Sequence, residues 1–68
     1  MTLQLNGEAV SLPEAEVLSL EGLLEHMGWA AERLAVEHNQ VLVPRARWAN
    51  TRVGDGDRVE VVHFVGGG

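Results

Sequence analysis

Three histidines, two aspartates and two serines are the side chains on which chemistry could rest, and their spacing argues against most of it. His26, His38 and His63 fall on separate stretches, and the chain has no cysteine. A zinc site needs three or four such ligands converging, so no metal is expected, and His63 is expected as a partly buried strand side chain bonded to a backbone group. Asp55 and Asp57 flank Gly56, but a calcium loop also needs further spaced ligands and a closing glutamate. A turn is the expectation there. Gly54 and Gly56 are not followed by the Lys-Ser/Thr of a phosphate-binding loop. Ser11 and Ser19 have no histidine at hand to activate them. All five basic residues are arginine, which removes a Schiff-base lysine and an acceptor for isopeptide-linked modifiers. One reactive group is left, the α-carboxylate of Gly68.

That carboxylate ends the stretch Val59-Glu60-Val61-Val62-His63-Phe64-Val65-Gly66-Gly67-Gly68. Valines stiffen the backbone and suit it to a pleated strand, whereas glycine has no Cβ and the most conformational freedom to lose. Three extended glycines would carry the carboxylate roughly 10 Å from the globule, with no side chain to block a narrow channel. A carboxylate is a poor electrophile as it stands. Converted by another enzyme to an acyl adenylate, it could accept sulfur or an amine. A glycine-rich end is equally what an unused, frayed terminus looks like, and on these residues alone both readings stand.

The preceding elements must hold that end in place. Met1-Thr2-Leu3-Gln4-Leu5 and Glu8-Ala9-Val10-Ser11-Leu12 alternate apolar and polar residues about Asn6-Gly7, the strongest two-residue hairpin signal. Pro13 ends the hairpin. Ser19 is placed to cap a helix, with Leu18 and Leu23 at staple spacing. Leu20, Leu23, Leu24 and Met27 form its buried stripe, Glu21 and Glu25 its solvent side, and Gly28 its left-handed end. Gly22 costs this helix about 1 kcal/mol relative to alanine, which suggests that something approaches it closely. Trp29–Arg33 reads as a loop or frayed turn, 34–38 as a strand, Asn39-Gln40 as a turn and 41–43 as a short strand. Pro44 opens a helical turn through Trp48, which is expected to fold back over the core. Gly54-Asp55-Gly56-Asp57 then turns the chain into a last strand, 58–65. This strand is the most continuously apolar, which places it in the middle of the sheet. Val59, Val61, His63 and Val65 share one face; Arg58, Glu60, Val62 and Phe64 share the other. With the first set under the helix, Val62 and Phe64 form an apolar patch beside the tail, the kind of surface that marks a partner site; the alternative is that both faces of the strand are covered.

The expected fold class is therefore α+β, a mixed sheet of four to five strands with one main helix on one face. Residues 1–65 make the single domain and 66–68 a flexible glycine tail. With 68 residues and 46% hydrophobic composition the core must be small. The absence of cysteine suits a cytoplasmic chain, and no apolar run has the length of a membrane span. The net charge of −5 is uneven. Residues 1–37 carry seven glutamates against Arg33, giving −6, whereas 38–68 carry four arginines against three acids, giving +1. Such a balance disfavours nucleic acid, whose phosphates must be neutralised, and suits a basic protein partner.

The chain resembles the ThiS family, the sulfur carriers of thiamine biosynthesis, which have the ubiquitin-like β-grasp fold. The resemblance rests on Leu3-Gln4-Leu5-Asn6-Gly7, on Leu34-Ala35-Val36-Glu37-His38-Asn39 leading to Val43-Pro44-Arg45 and Trp48, and on Asp55-Gly56-Asp57-Arg58-Val59-Glu60-Val61-Val62 with Phe64-Val65-Gly66-Gly67-Gly68. It spans nearly the whole chain. The Val-Pro-Arg…Trp segment with the Asp-Gly-Asp turn and Gly-Gly end is specific; Gly-Gly alone is shared with the molybdopterin synthase small subunit and ubiquitin-related modifiers. His38-Asn39-Gln40 departs from the more acidic or glycine-containing turn of many relatives.

The resemblance implies that an E1-like adenylating enzyme uses ATP to form an adenylate on Gly68. Sulfur from a cysteine persulfide, supplied indirectly by a cysteine desulfurase or another donor, then gives a thiocarboxylate that serves thiazole synthase. Gly66 and Gly67 would thread the tail, and Glu60, Val62 and Phe64 would meet the partners. The chain itself would bind no cofactor and would be a protein co-substrate, not an enzyme. Two alternatives stand beside this. One is a carrier for molybdopterin, cysteine or tRNA thiolation; the other is an interaction module whose tail is never activated, for which deleting Gly67 and Gly68 would leave function intact.

Overall fold

The computed structural model describes residues 1–64. The two alternating runs about Asn6-Gly7 form an antiparallel hairpin of β1 (Thr2–Leu5) and β2 (Glu8–Ser11). Asn6 and Gly7 both take positive φ, the requirement of the tight turn. Helix α1 (Leu20–Met27) begins where expected, with the Ser19 hydroxyl accepting from the Gly22 amide at 3.1 Å. It ends at Gly28 in the left-handed conformation, φ 75°. The Leu18–Leu23 staple is corrected: Leu18 stays 54% exposed, and its neighbour Val17 enters the core instead. The Pro13–Val17 turn sets this phase. Gly22 is also corrected. A Cβ there would lie 3.6 Å or more from its nearest neighbours, so nothing packs so closely as to demand glycine.

A short 3-10 turn (Ala31–Arg33) leads into β3 (Leu34–His38), then β4 (Val41–Val43), a second 3-10 segment (Arg45–Asn50) and β5 (Arg58–His63). The five strands are ordered β2-β1-β5-β3-β4. β5 runs parallel to β1 and antiparallel to β3, so the last strand is central, as its apolar run suggests. The mixed α+β sheet with one helix matches the expected class.

The described residues share one core. Leu20, Leu23 and Leu24 of α1 pack with Leu3, Leu5, Val36, Val59 and Val61 of the sheet. Burial of that apolar area, at about 25 cal/mol per Å², is the main stabilising term in so short a chain. Trp48 closes the core as expected, its indole Nε1–H donating to the Val43 carbonyl at 2.8 Å. That bond removes the cost of burying an indole N–H.

Candidate functional site

The site assembles around β5, and the first question is how its two faces are disposed. Val59 and Val61 are 0% and 5% exposed, whereas Val62 is 57% and Phe64 60% exposed. Glu60 lies on the same open face, so Glu60, Val62 and Phe64 are brought together as expected. A near-continuous apolar strand usually has both faces covered. Here the helix covers only one, because α1 is the one α-helix among the described residues and lies over the Val59–Val61 side. Leu42 of β4, 65% exposed, and Ala35 of β3 extend the open face sideways through the register Glu37↔Leu42 and Ala35↔Val62.

Beyond β5 the backbone keeps its register for one more residue, with the Phe64 amide donating to the Arg33 carbonyl at 2.8 Å. Gly66, Gly67 and Gly68, and Val65 before them, lie outside the described residues, as does the expected domain boundary at 65. His63 differs from expectation. It is exposed, and its ring meets Trp29 edge-on with centroids 5.2 Å apart; among the described residues its imidazole makes no hydrogen bond to a backbone group. The reason is its place at the strand end, past the cover of α1. Trp29 therefore packs at the base of the segment leading to the glycines.

The opposite end of β5 is held by a polar cluster. His38 Nε2 lies 2.7 Å from Asp57 Oδ2, and Asn39 Nδ2 reaches Asp57 Oδ1 at 3.4 Å. The same carboxylate accepts from the Gly54 amide at 2.8 Å. Partial burial pushes the Asp57 carboxyl up, but hydrogen bonds from His38, the Gly54 amide and Asn39, with the His38 charge, outweigh it and hold the group below its ordinary value. Asp55 accepts from the Thr2 amide at 2.7 Å and so ties the turn to β1. Both aspartates are thus structural, as the turn reading expects. Among the described residues no three His, Cys, Asp or Glu side chains converge as metal ligands would.

Two asparagines have a role that the sequence reading missed. Asn6 and Asn39 each occupy a hairpin turn with φ near 50° (52° and 51°). Each then reaches across to β5: Asn6 Oδ1 accepts from the Val61 amide at 2.7 Å, and Asn39 Oδ1 from the Arg58 amide at 2.9 Å. The Asn-Gly and Asn-Gln pairs signal the turns, but only the strand order reveals the second function. The departing triplet His38-Asn39-Gln40 is therefore half of a matched unit whose other half is Asp57 and Arg58.

A groove of about 580 Å³ beside β4 is lined by His38, Val41, Leu42, Pro44 and Arg47 among others. A second of about 330 Å³ lies by Asn39, Gln40, Gly56 and Arg58. The second sits at the far end of β5 from Phe64.

The ThiS family model matches residues 3–68. The crystal structure of a thiamine biosynthesis protein (ThiS) from Geobacter metallireducens superposes with a TM-score of 0.86 at 39% identity, covering 100% of both chains. The sulfur carrier protein ThiS of Bacillus subtilis is 33% identical over 66 residues, 97% of this chain and 98% of that one. The thiazole synthase of Magnetococcus marinus is 41% identical over 68 residues, 100% of this chain but 20% of the relative. The chain thus spans about a fifth of that synthase and nearly all of the Bacillus protein. At this similarity the five-stranded sheet with its one helix is the ubiquitin-like β-grasp fold.

Proposed function

Because the chain belongs to the ThiS family, we propose that it is a sulfur carrier for thiamine (thiazole) biosynthesis, a protein co-substrate with no catalytic centre of its own. The observation that carries this reading is the family match through residue 68, which takes in the glycine end as well as the fold. The α-carboxylate of Gly68 is the reactive group. An adenylating partner of the E1-like type joins it to AMP from ATP, releasing pyrophosphate. The acyl carbon is then electrophilic, and the terminal sulfur of a partner's cysteine persulfide displaces AMP to give an acyl disulfide; a second thiol attacks the cysteine sulfur of that disulfide, which releases the thiocarboxylate and leaves a disulfide on the partner.

The residues of this chain supply presentation. Phe64 is tied to Arg33 through its backbone, so the four residues that follow start from a fixed point. Gly66 and Gly67 fit a narrow active-site channel because they carry no side chain to clash with its walls. Glu60, Val62 and Phe64 form the surface on which the partner seats. Thiazole synthase is the proposed sulfur acceptor. The presence of a segment like this chain within the Magnetococcus synthase supports that pairing.

Intact-mass measurement after incubation with ATP, the adenylating enzyme and a sulfur source tests the reading. A gain equal to one oxygen replaced by sulfur, abolished by deleting Gly67 and Gly68, is expected. An unchanged mass beside a demonstrably active enzyme would favour an interaction module whose tail is never activated.

A further inference from the structure

The tip of β5 is paired on one side only. β1 accompanies the strand at Gln4↔Arg58 and Leu5↔Val59, and the last contact from that side is the Asn6 side chain on the Val61 amide. β3 continues beside it through Ala35↔Val62 and Leu34↔His63 to the Arg33 carbonyl, which holds the Phe64 amide. Among the described residues, 62–64 thus have one neighbouring strand, and a segment so placed opens more readily than the strand's centre. Trp29 stands on the helix side of this tip. Its own place is fixed from behind: the Gly28 amide donates to the Glu25 carbonyl at 3.0 Å, and the Trp29 amide to that of Leu24 at 3.1 Å. These two bonds close α1 in the Schellman pattern. The indole is half-buried against the core and meets the His63 ring at 5.2 Å between centroids, with the planes 82° apart. Rings in that edge-to-face arrangement attract beyond the area they bury. His63 is itself exposed and adds little to the core, so the contact acts on the tip rather than on the fold.

We propose that Trp29 and His63 are positioning residues for the activation of Gly68. Their contact braces the tip on the helix side and keeps Phe64 bonded to Arg33, so the residues after it start from one fixed point. The inference rests on the carrier reading above and adds to it a pair of residues away from the open face. In the activation step a carboxylate oxygen of Gly68 attacks the α-phosphorus of ATP, and pyrophosphate leaves. That attack needs the reacting atoms roughly 3–3.5 Å apart, and a displacement of about 1 Å can cost about a hundredfold. Gly68 is four residues beyond Phe64, so a tip that detaches from β3 moves the carboxylate by more than this. Trp29 and His63 lie on the side away from Glu60, Val62 and Phe64. Removing their contact leaves the proposed partner surface as it is, and the effect falls on kcat rather than on KM.

ATP–pyrophosphate exchange by the adenylating enzyme, with the full chain as its substrate, tests the proposal. His63→Ala should lower kcat about tenfold, with KM within about twofold of the parent's. Trp29→Leu should do the same, and the double variant should lose no more than either alone, because all three remove one contact. His63→Phe keeps a ring against the indole and should restore kcat to within about twofold. Hydrogen exchange of the Phe64 amide in the free chain reads the brace by itself. It should be about threefold to tenfold faster in His63→Ala and near the parent's rate in His63→Phe. An unchanged kcat in His63→Ala and Trp29→Leu would overturn the proposal, even with stability lowered. So would a His63→Phe chain as slow as His63→Ala, which would give the role to the imidazole nitrogens. A parent chain that supports no exchange, beside an enzyme active on its own carrier, would instead defeat the carrier reading and this role with it.

Discussion

Val61 and Val62 are adjacent, chemically identical and on the same strand, yet one lies in the core and the other under solvent. Val61 is 5% exposed beneath α1, and Val62 is 57% exposed on the open face. The pleat separates them, and α1 covers only one side. The burial of Val59 and Val61 stabilises the fold, whereas leaving Val62 and Phe64 bare gains nothing for the isolated chain. A face of that kind is where the proposed function seats a partner. The strand that organises the core thereby also carries the proposed partner surface and precedes the glycine end in the sequence.

The sharpest way to break this comparison is to truncate each valine in turn. Val61→Ala should destabilise by about 2 kcal/mol, from lost transfer energy of about 0.8 kcal/mol per carbon group plus the cavity left behind. Val62→Ala should change stability by less than about 0.5 kcal/mol and weaken binding of the adenylating enzyme. Urea unfolding and calorimetry read the two effects. Equal stability losses would mean that the faces are not distinct.

Asn6→Gly keeps the positive φ of the turn but removes the acceptor for the Val61 amide. A loss of about 1–2 kcal/mol is expected, the cost of an unpaired donor at a partly buried site. An unchanged urea midpoint would show that the side chain does not hold β5.

A smaller effect concerns the other end of the strand. Asp57 titrates below its ordinary value of 3.8 in the folded chain, so its ionised form stabilises the fold above that pH. The contribution is lost as pH falls through the lowered folded value. The stability gap between the parent and Asp57→Asn should therefore narrow below about pH 4. A gap that stays constant through the acid range would assign the effect to the hydrogen bonds alone. Gly22→Ala should have the opposite sign. A Cβ meets only ordinary contacts there, so up to about 1 kcal/mol of stability is gained. A loss on substitution would restore the idea of a close approach.

Local signals made most of the fold legible. Asn6-Gly7, Ser19, Gly28 and Pro44 punctuate the chain, and each sits within a residue of the boundary that it predicts. The alternation along 58–64 assigned the faces of β5 through Val62 before any pairing was known. It failed at His63, because alternation carries no information about where the covering helix stops. It also could not separate Val17 from Leu18, since the phase entering α1 depends on the Pro13 turn. Hydrogen bonds between residues far apart in sequence were invisible for a related reason. Asn6 to Val61 spans 55 positions and His38 to Asp57 spans 19. Such pairs follow from strand order, and no local pattern encodes it. The open face was readable as apolar, but the meeting of Trp29 with His63 on the other face required the path of the chain from α1 into β3.

Methyl NMR of the chain, labelled at valine and leucine and titrated with the adenylating enzyme, tests the division of β5 most directly. Signals of Val62 and Leu42 should shift or broaden on binding, while those of Val59, Val61 and Leu23 beneath the helix stay in place. Perturbation centred on the helix side, with Val62 and Leu42 unaffected, would contradict the assignment of the open face to the partner.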